Sequence, residues 1–192
     1  MNDSKIIGFP KVYSELETLC KEIGFTMPSD PYIGTLLKTL ITSKPNANLL
    51  ELGTGIGLSL SWMIAGMDDS SRLITLDNDP KLIKVAQKYF EKEEKVSIIL
   101  ADGAEWIKNY NGEKFDLIFA DTWPGKFYEL EETLALLKRG GFYIIDDMNT
   151  QPDWPKGHQQ KVNLLIESLE NRDDFNVTKM NWSTGIIIAT KK

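Results

Sequence analysis

The chain of 192 residues carries 22 Lys and Arg against 28 Asp and Glu, a formal net charge of −6, with 42% hydrophobic and 26% charged positions. That acidity argues against a nucleic-acid or anionic-membrane surface as the main partner, and no apolar run approaches the ~18 residues of a membrane-spanning helix. Length and composition suit one globular domain over residues 1–192, large enough for a substantial core.

The first five residues lack the apolar stretch of a signal peptide, and the lone cysteine, Cys20, cannot close an internal disulfide. A reducing, cytoplasmic setting is therefore expected. Residues 11–23 read as a helix with Val12, Leu16, Leu19, Cys20 and Ile23 on one face, which makes Cys20 a small buried hydrophobe. In the loop Met27-Pro28-Ser29-Asp30-Pro31, Ser29 or Asp30 caps a second helix running to residue 42. Strands follow at 49–52, 72–77, 96–100, 115–120 and 142–145, alternating with helices at 57–67, 80–92, 102–107, 127–137 and 162–169. Residues 175–180 and 185–189 close the pattern as two strands with a hairpin turn between them. Continuous apolar strands alternating with helices specify a parallel sheet covered on both faces. The last two strands have no helix between them, so one runs antiparallel at an edge. The predicted fold class is α/β, a doubly wound, mostly parallel sheet of seven strands.

The segment Leu50-Glu51-Leu52-Gly53-Thr54-Gly55-Ile56-Gly57-Leu58-Ser59 reads as a strand, a tight turn and a helix N-terminus. Such a turn brings backbone N–H groups close to a ligand while the glycines clear space. Glu51, Asp77, Asp102, Asp121 and Asp146 each lie at or just after the end of a predicted parallel strand, and those ends share one rim, where ligands of open α/β sheets bind. Asp77 follows Gly53 at about the ~20-residue spacing of an acid that accepts from two ribose hydroxyls. The glycine spacing is Gly-x-Gly-x-Gly, and the acid Glu51 beside the turn repels a pyrophosphate but attracts a cation. S-adenosylmethionine carries a sulfonium, an ammonium and no phosphate, so this pattern favours it over NAD.

On these residues the chain resembles class I S-adenosylmethionine-dependent methyltransferases, with Leu76-Asp77, Leu100-Ala101-Asp102-Gly103-Ala104, Phe115 to Asp121 and Leu136 to Phe142 standing as the later motifs in order. The resemblance implies cofactor contacts at Glu51, Gly53, Thr54, Gly55, Gly57 and Ser59, at Asp77 and Asn78 for the ribose, at Asp102 and Gly103 for the adenine side, and at Asp121. Within that superfamily the chain resembles the small catechol and caffeoyl-CoA O-methyltransferase group, which implies a small-molecule acceptor and a homodimer. It also implies a divalent cation, Mg²⁺ or Ca²⁺, held by Asp121 and Asp146, with Asp147 falling where that group has an asparagine.

Two departures stand out. The group places a lysine three residues after the strand-four aspartate, whereas this chain has Pro124, with Lys126 two residues further on. Asp147 adds a third carboxylate, which raises its neighbours' pKa values unless a cation sits among them; its alternatives are to cap the next segment or to pair with Lys126. An acceptor hydroxyl needs deprotonation, with a metal, Lys126, His158 or Asp121 as the assisting group. Trp123-Pro124 and Trp154-Pro155 sit on loops of the same rim, either pinning them to the core or walling an acceptor pocket. His158 is either a polar residue at a helix start or a general base. Trp106 either flanks the adenine or belongs to the core. The expected activity is S-adenosylmethionine-dependent O-methylation of a small molecule. An NAD-linked oxidoreductase, an aminopropyl transferase and a non-catalytic binding module on the same fold are the alternatives.

Overall fold

The computed structural model describes residues 2–152 and 154–192; Met1 and Asp153, the latter in the second Trp-Pro loop, lie outside the described residues. Seven helices and seven strands follow one another as α1 (Tyr13–Ile23), α2 (Pro31–Thr42), β1 (Asn48–Leu52), α3 (Leu58–Gly66), β2 (Arg72–Asp77), α4 (Pro80–Tyr89), β3 (Val96–Leu100), α5 (Gly103–Asn109), β4 (Phe115–Ala120), α6 (Leu130–Ala135), β5 (Leu137–Ile145), α7 (His158–Glu170), β6 (Phe175–Met180) and β7 (Ile186–Lys191). They build one sheet in the order β3-β2-β1-β4-β5-β7-β6.

Strands β1 to β5 pair in parallel, and β7 runs antiparallel to both β5 and β6. The reversed strand is thus the last one, inserted one place in from the edge, because the turn after β6 folds it straight back. The strand order reverses between β1 and β4, and a crevice opens at that switch point beyond the strand ends.

Alternating residues of β1 enter opposite cores. Leu49 joins the core under α1 to α4, with Leu16, Leu37 and Trp62. Leu50 and Leu52 join the core under α5 to α7, with Leu134, Val162 and Leu169. All three β1 leucines are fully buried, each contributing about 2 kcal/mol of apolar burial. Cys20 is buried, as its helical face predicts. Asp30, not Ser29, caps α2: its carboxylate accepts the N–H groups of Tyr32 (2.7 Å) and Ile33 (3.1 Å).

Three elements start three or more residues away from where the periodicity places them. α6 begins at Leu130, not 127, because residues 123–129 form a turn: the Gly125 N–H donates to Tyr128 O at 2.7 Å, with Gly125 at φ +81° and Glu129 at φ +51°. β5 begins at Leu137 and takes in Gly140-Gly141 as an irregularity in its pairing with β4. α7 starts four residues earlier than expected, at His158, after Gly157 in the left-handed conformation. Among the described residues no helix is long and apolar enough to cross a membrane.

Candidate active site

A cavity of about 700 Å³ opens along the strand ends. One half is built on the glycine turn. Leu76 O on β2 accepts the N–H groups of Gly53 (2.9 Å) and Thr54 (3.2 Å), which locks the turn to the neighbouring strand. Gly53 needs its φ of +102°, and a Cβ there would lie 2.9 Å from Asp121 O; a Cβ at Gly57, φ +100°, would lie 2.5 Å from Phe90 Cε2. Asp77 Oδ2 accepts the Gly55 N–H at 2.9 Å, and its Oδ1 accepts the Asp79 N–H at 3.0 Å. Each oxygen of Asp77 keeps lone pairs for a ligand in the cavity it lines.

Glu51 is placed differently from the expectation. It is fully buried and does not line the cavity. The Thr75 hydroxyl donates to its Oε2 at 2.6 Å and is itself 2.6 Å from the Thr54 hydroxyl, while Glu51 Oε1 has no hydrogen-bond partner. Burial pushes its carboxyl up to about 7, against the favourable influence of Ser59 and Thr75. Glu51 therefore braces the turn from beneath.

The other half of the cavity holds Asp121, after β4, and Asp146 and Asp147, after β5. Ser29 Oγ donates to Asp121 Oδ2 at 2.8 Å. Asp146 Oδ1 accepts the Thr184 hydroxyl and the Asp147 N–H, the latter at 2.8 Å. Asp147 adopts φ +57°. Burial raises the Asp121 carboxyl strongly, with repulsion from Asp146 adding to it. Burial likewise raises Asp146, with Asp147 adding to it. Lys126, 5% exposed, acts in the opposite sense on both.

His158, the first residue of α7, is buried among aromatic rings, with centroids 4.4 Å from Trp154, 5.1 Å from Phe127 and 5.8 Å from Trp123. Among the described residues its Nδ1 has no partner, and burial followed by the Lys126 charge holds its pKa below the usual value. Lys161 on α7 holds the first Trp-Pro loop: its Nζ lies 4.0 Å from the Trp123 ring centre and donates to the Tyr128 hydroxyl at 2.8 Å.

The cavity thus gathers Gly53, Thr54, Gly55, Ser59, Asp77, Asp121, Lys126, Asp146, Asp147 and His158. It does not include Glu51, Gly57, Asn78, Asp102 or Gly103 in its lining. Asp102 instead caps α5 through the Glu105 N–H at 3.0 Å, and Gly103 packs beneath Pro124. Trp106, half-buried, stacks on Tyr110 at 4.6 Å and packs against the core under α5 to α7, outside the lining of the cavity. Trp123 and Trp154 both line the cavity. Among the described residues no three His, Cys, Asp or Glu side chains are drawn together as a metal-binding group, while Asp121, Asp146 and Asp147 all line the same cavity. Sequence reasoning missed Thr75, Thr184 and the bond from Ser29 to Asp121. Those hydroxyls come from distant segments, and no local pattern marks them.

The chain matches the model of the O-methyltransferase family over residues 11–192. Catechol O-methyltransferase B of Danio rerio is 26% identical over 147 residues, which cover 71% of this chain and 56% of that relative. The chain spans about half the length of the curated relatives it matches. Among solved structures, the O-methyltransferase from Bacillus cereus in complex with SAH superposes with a TM-score of 0.82 at 23% identity, covering 98% of this chain and 94% of that one. TomG from Streptomyces achromogenes, an O-methyltransferase solved with SAM, gives 0.83 at 21% identity, with 98% and 93% covered. These likenesses establish a Rossmann-like methyltransferase fold, and the match across nearly the whole chain places this protein in the O-methyltransferase family.

Proposed function

We propose that this protein is an S-adenosylmethionine-dependent methyltransferase acting on a hydroxyl of a small molecule. The observation that carries the reading is the Gly53–Gly57 turn, held open by Asp77 on the Gly55 N–H, in one cavity with Lys126, Asp121 and His158. When bound, S-adenosylmethionine supplies an activated methyl group. The residues that would hold it are Gly53, Thr54, Gly55 and Ser59 around the turn and Asp77 at the ribose. Asp102, Gly103 and Asn78 act behind or beside that surface. The Glu51 carboxyl, half-titrated near neutrality, sets the turn's shape and not its contacts.

The acceptor lies against Trp123, Trp154 and Phe127. His158 is neutral at pH 7, because burial and Lys126 lower its pKa, so it is free to accept the hydroxyl proton. Lys126 steadies the developing oxyanion, and Asp121 orients the hydroxyl. Most of the rate comes from holding the acceptor in line. The net charge of −6 supports a small-molecule acceptor over nucleic acid, and the free thiol of Cys20 supports a cytoplasmic setting. By family resemblance the proposal extends to a homodimer, which light scattering checks.

Calorimetry with S-adenosylhomocysteine and with NAD tests the donor, and transfer of labelled methyl into small molecules of a cell extract tests the reaction. Binding of NAD alone would overturn the donor assignment. Binding of S-adenosylhomocysteine with no labelled product would reduce the protein to a binding module.

A further inference from the structure

Glu51 has no exposed surface, and among the described residues it makes no ion pair within 4.0 Å. A buried acid without a cation depends on its hydrogen bonds. Of the groups that face it, Ser59 comes from α3 and Thr75 and Asp77 come from β2; Asp77 is charged and repels it. Phe119, its neighbour on β4, brings no charge. Among the described residues Oε1 has no partner, so the bond at Oε2 carries the connection to the rest of the fold.

That bond leads out to the cavity. Glu51 and Thr75 stand opposite each other in the parallel pairing of β1 with β2, so their side chains share a face. The Thr75 hydroxyl donates to Glu51 Oε2 at 2.6 Å, and the Thr54 hydroxyl lies 2.6 Å from the Thr75 hydroxyl. Thr75 is fully buried, whereas Thr54 lines the cavity. A hydroxyl carries one proton. Thr75 gives its own to Glu51, so in the second bond it accepts and Thr54 donates. The Thr54 proton is thereby turned inward, and Thr54 presents only oxygen lone pairs to the cavity. Its backbone is held in place, because its N–H donates to Leu76 O at 3.2 Å and its carbonyl accepts the Gly57 N–H at 3.0 Å.

We propose that Thr75 is a positioning residue for the methyl donor: by linking Glu51 to Thr54 it fixes the Thr54 hydroxyl as an acceptor, which receives the donor's ammonium group. The proposal rests on the S-adenosylmethionine reading of the cavity and adds which end of the donor the hydroxyl chain selects. Thr54 touches the ligand; Thr75 and Glu51 act on that cation at one and two removes.

Calorimetry at pH 8, where Glu51 is ionised, compares S-adenosylhomocysteine with its analogue lacking the α-amino group. The parent is expected to bind the amine-bearing ligand at least ~10-fold more tightly. In Thr75→Val that ratio is expected to fall about 5-fold, while Thr75→Ser, which keeps the hydroxyl, retains it. A merely structural loss weakens both ligands alike and leaves the ratio unmoved. A folded Thr75→Val with the parent's ratio, or a parent that binds both ligands equally, would overturn the proposal and leave the donor reading standing. Should Thr75→Val not fold, because it strands the Glu51 carboxyl, the pair Glu51→Met and Thr75→Val removes both partners together and takes its place, with the same expected and overturning results. A parent that binds neither ligand overturns the donor reading itself, and the proposal with it.

Discussion

The Thr75 hydroxyl, on β2, donates at 2.6 Å to Glu51 on β1, an acid with no exposed surface and one unpartnered oxygen. Desolvation raises the Glu51 carboxyl from 4.5 to about 7. The folded state therefore holds a proton that the unfolded chain releases, and stability falls as pH rises from about 4.5 to about 7, then levels off. Across that window the loss amounts to about 3 kcal/mol, since one proton costs ~1.4 kcal/mol for each pH step of one. Glu51→Gln is expected to lessen that slope, to which the raised Asp121 and Asp146 carboxyls also contribute, read from urea midpoints at pH 5 and pH 8. An unchanged slope would show that Glu51 is not its source.

Gly57 carries φ +100°, and its Cα faces the Phe90 ring. Gly57→Ala adds a left-handed backbone cost and an overpacked contact, together about 3 kcal/mol. The melting temperature should fall by roughly 6–12 °C. A shift within about 1 °C would mean that Phe90 swings aside freely.

Asp77 holds the Gly55 N–H and lines the cavity. Asp77→Ala removes a charged acceptor, worth about 1.5–3 kcal/mol per hydrogen bond. The dissociation constant for S-adenosylhomocysteine should rise by about 10- to 100-fold in calorimetry. Unaltered affinity would refute the ribose assignment.

His158 keeps a lowered pKa inside its aromatic ring of neighbours. Its acid limb in the rate profile is expected below 6.5, and His158→Gln should cut kcat about 100-fold with donor affinity retained. A variant with full kcat and an unmoved acid limb would assign the proton to another group.

The alternation of strands and helices, the glycine turn and the acids at the strand ends were legible because each is a local pattern. The helix predicted over 127–137 exists, but its start was misread because apolar spacing alone does not register the left-handed Gly125 and Glu129, which divert the chain before the helix begins at Leu130. Glu51 was singled out by its place beside the glycines, but its partners were not legible. Its position beside the glycines suggested a ligand contact, whereas strand alternation sends its side chain inward toward Thr75. The hydroxyl donors to Asp121 and Asp146 lie 92 and 38 residues away along the chain, beyond any window of periodicity.

That last bond makes the cavity depend on the final hairpin. Thr184 lies in the turn between β6 and β7, and β7 pairs with β5 from the far side of the sheet. Without residues 175–191, Asp146 has no hydroxyl donor and β5 has no outer neighbour. The final hairpin thus completes both the outer face of the sheet and the hydrogen bonding of the acceptor half of the cavity, so the segment most remote from the glycine turn in sequence shapes the same cavity.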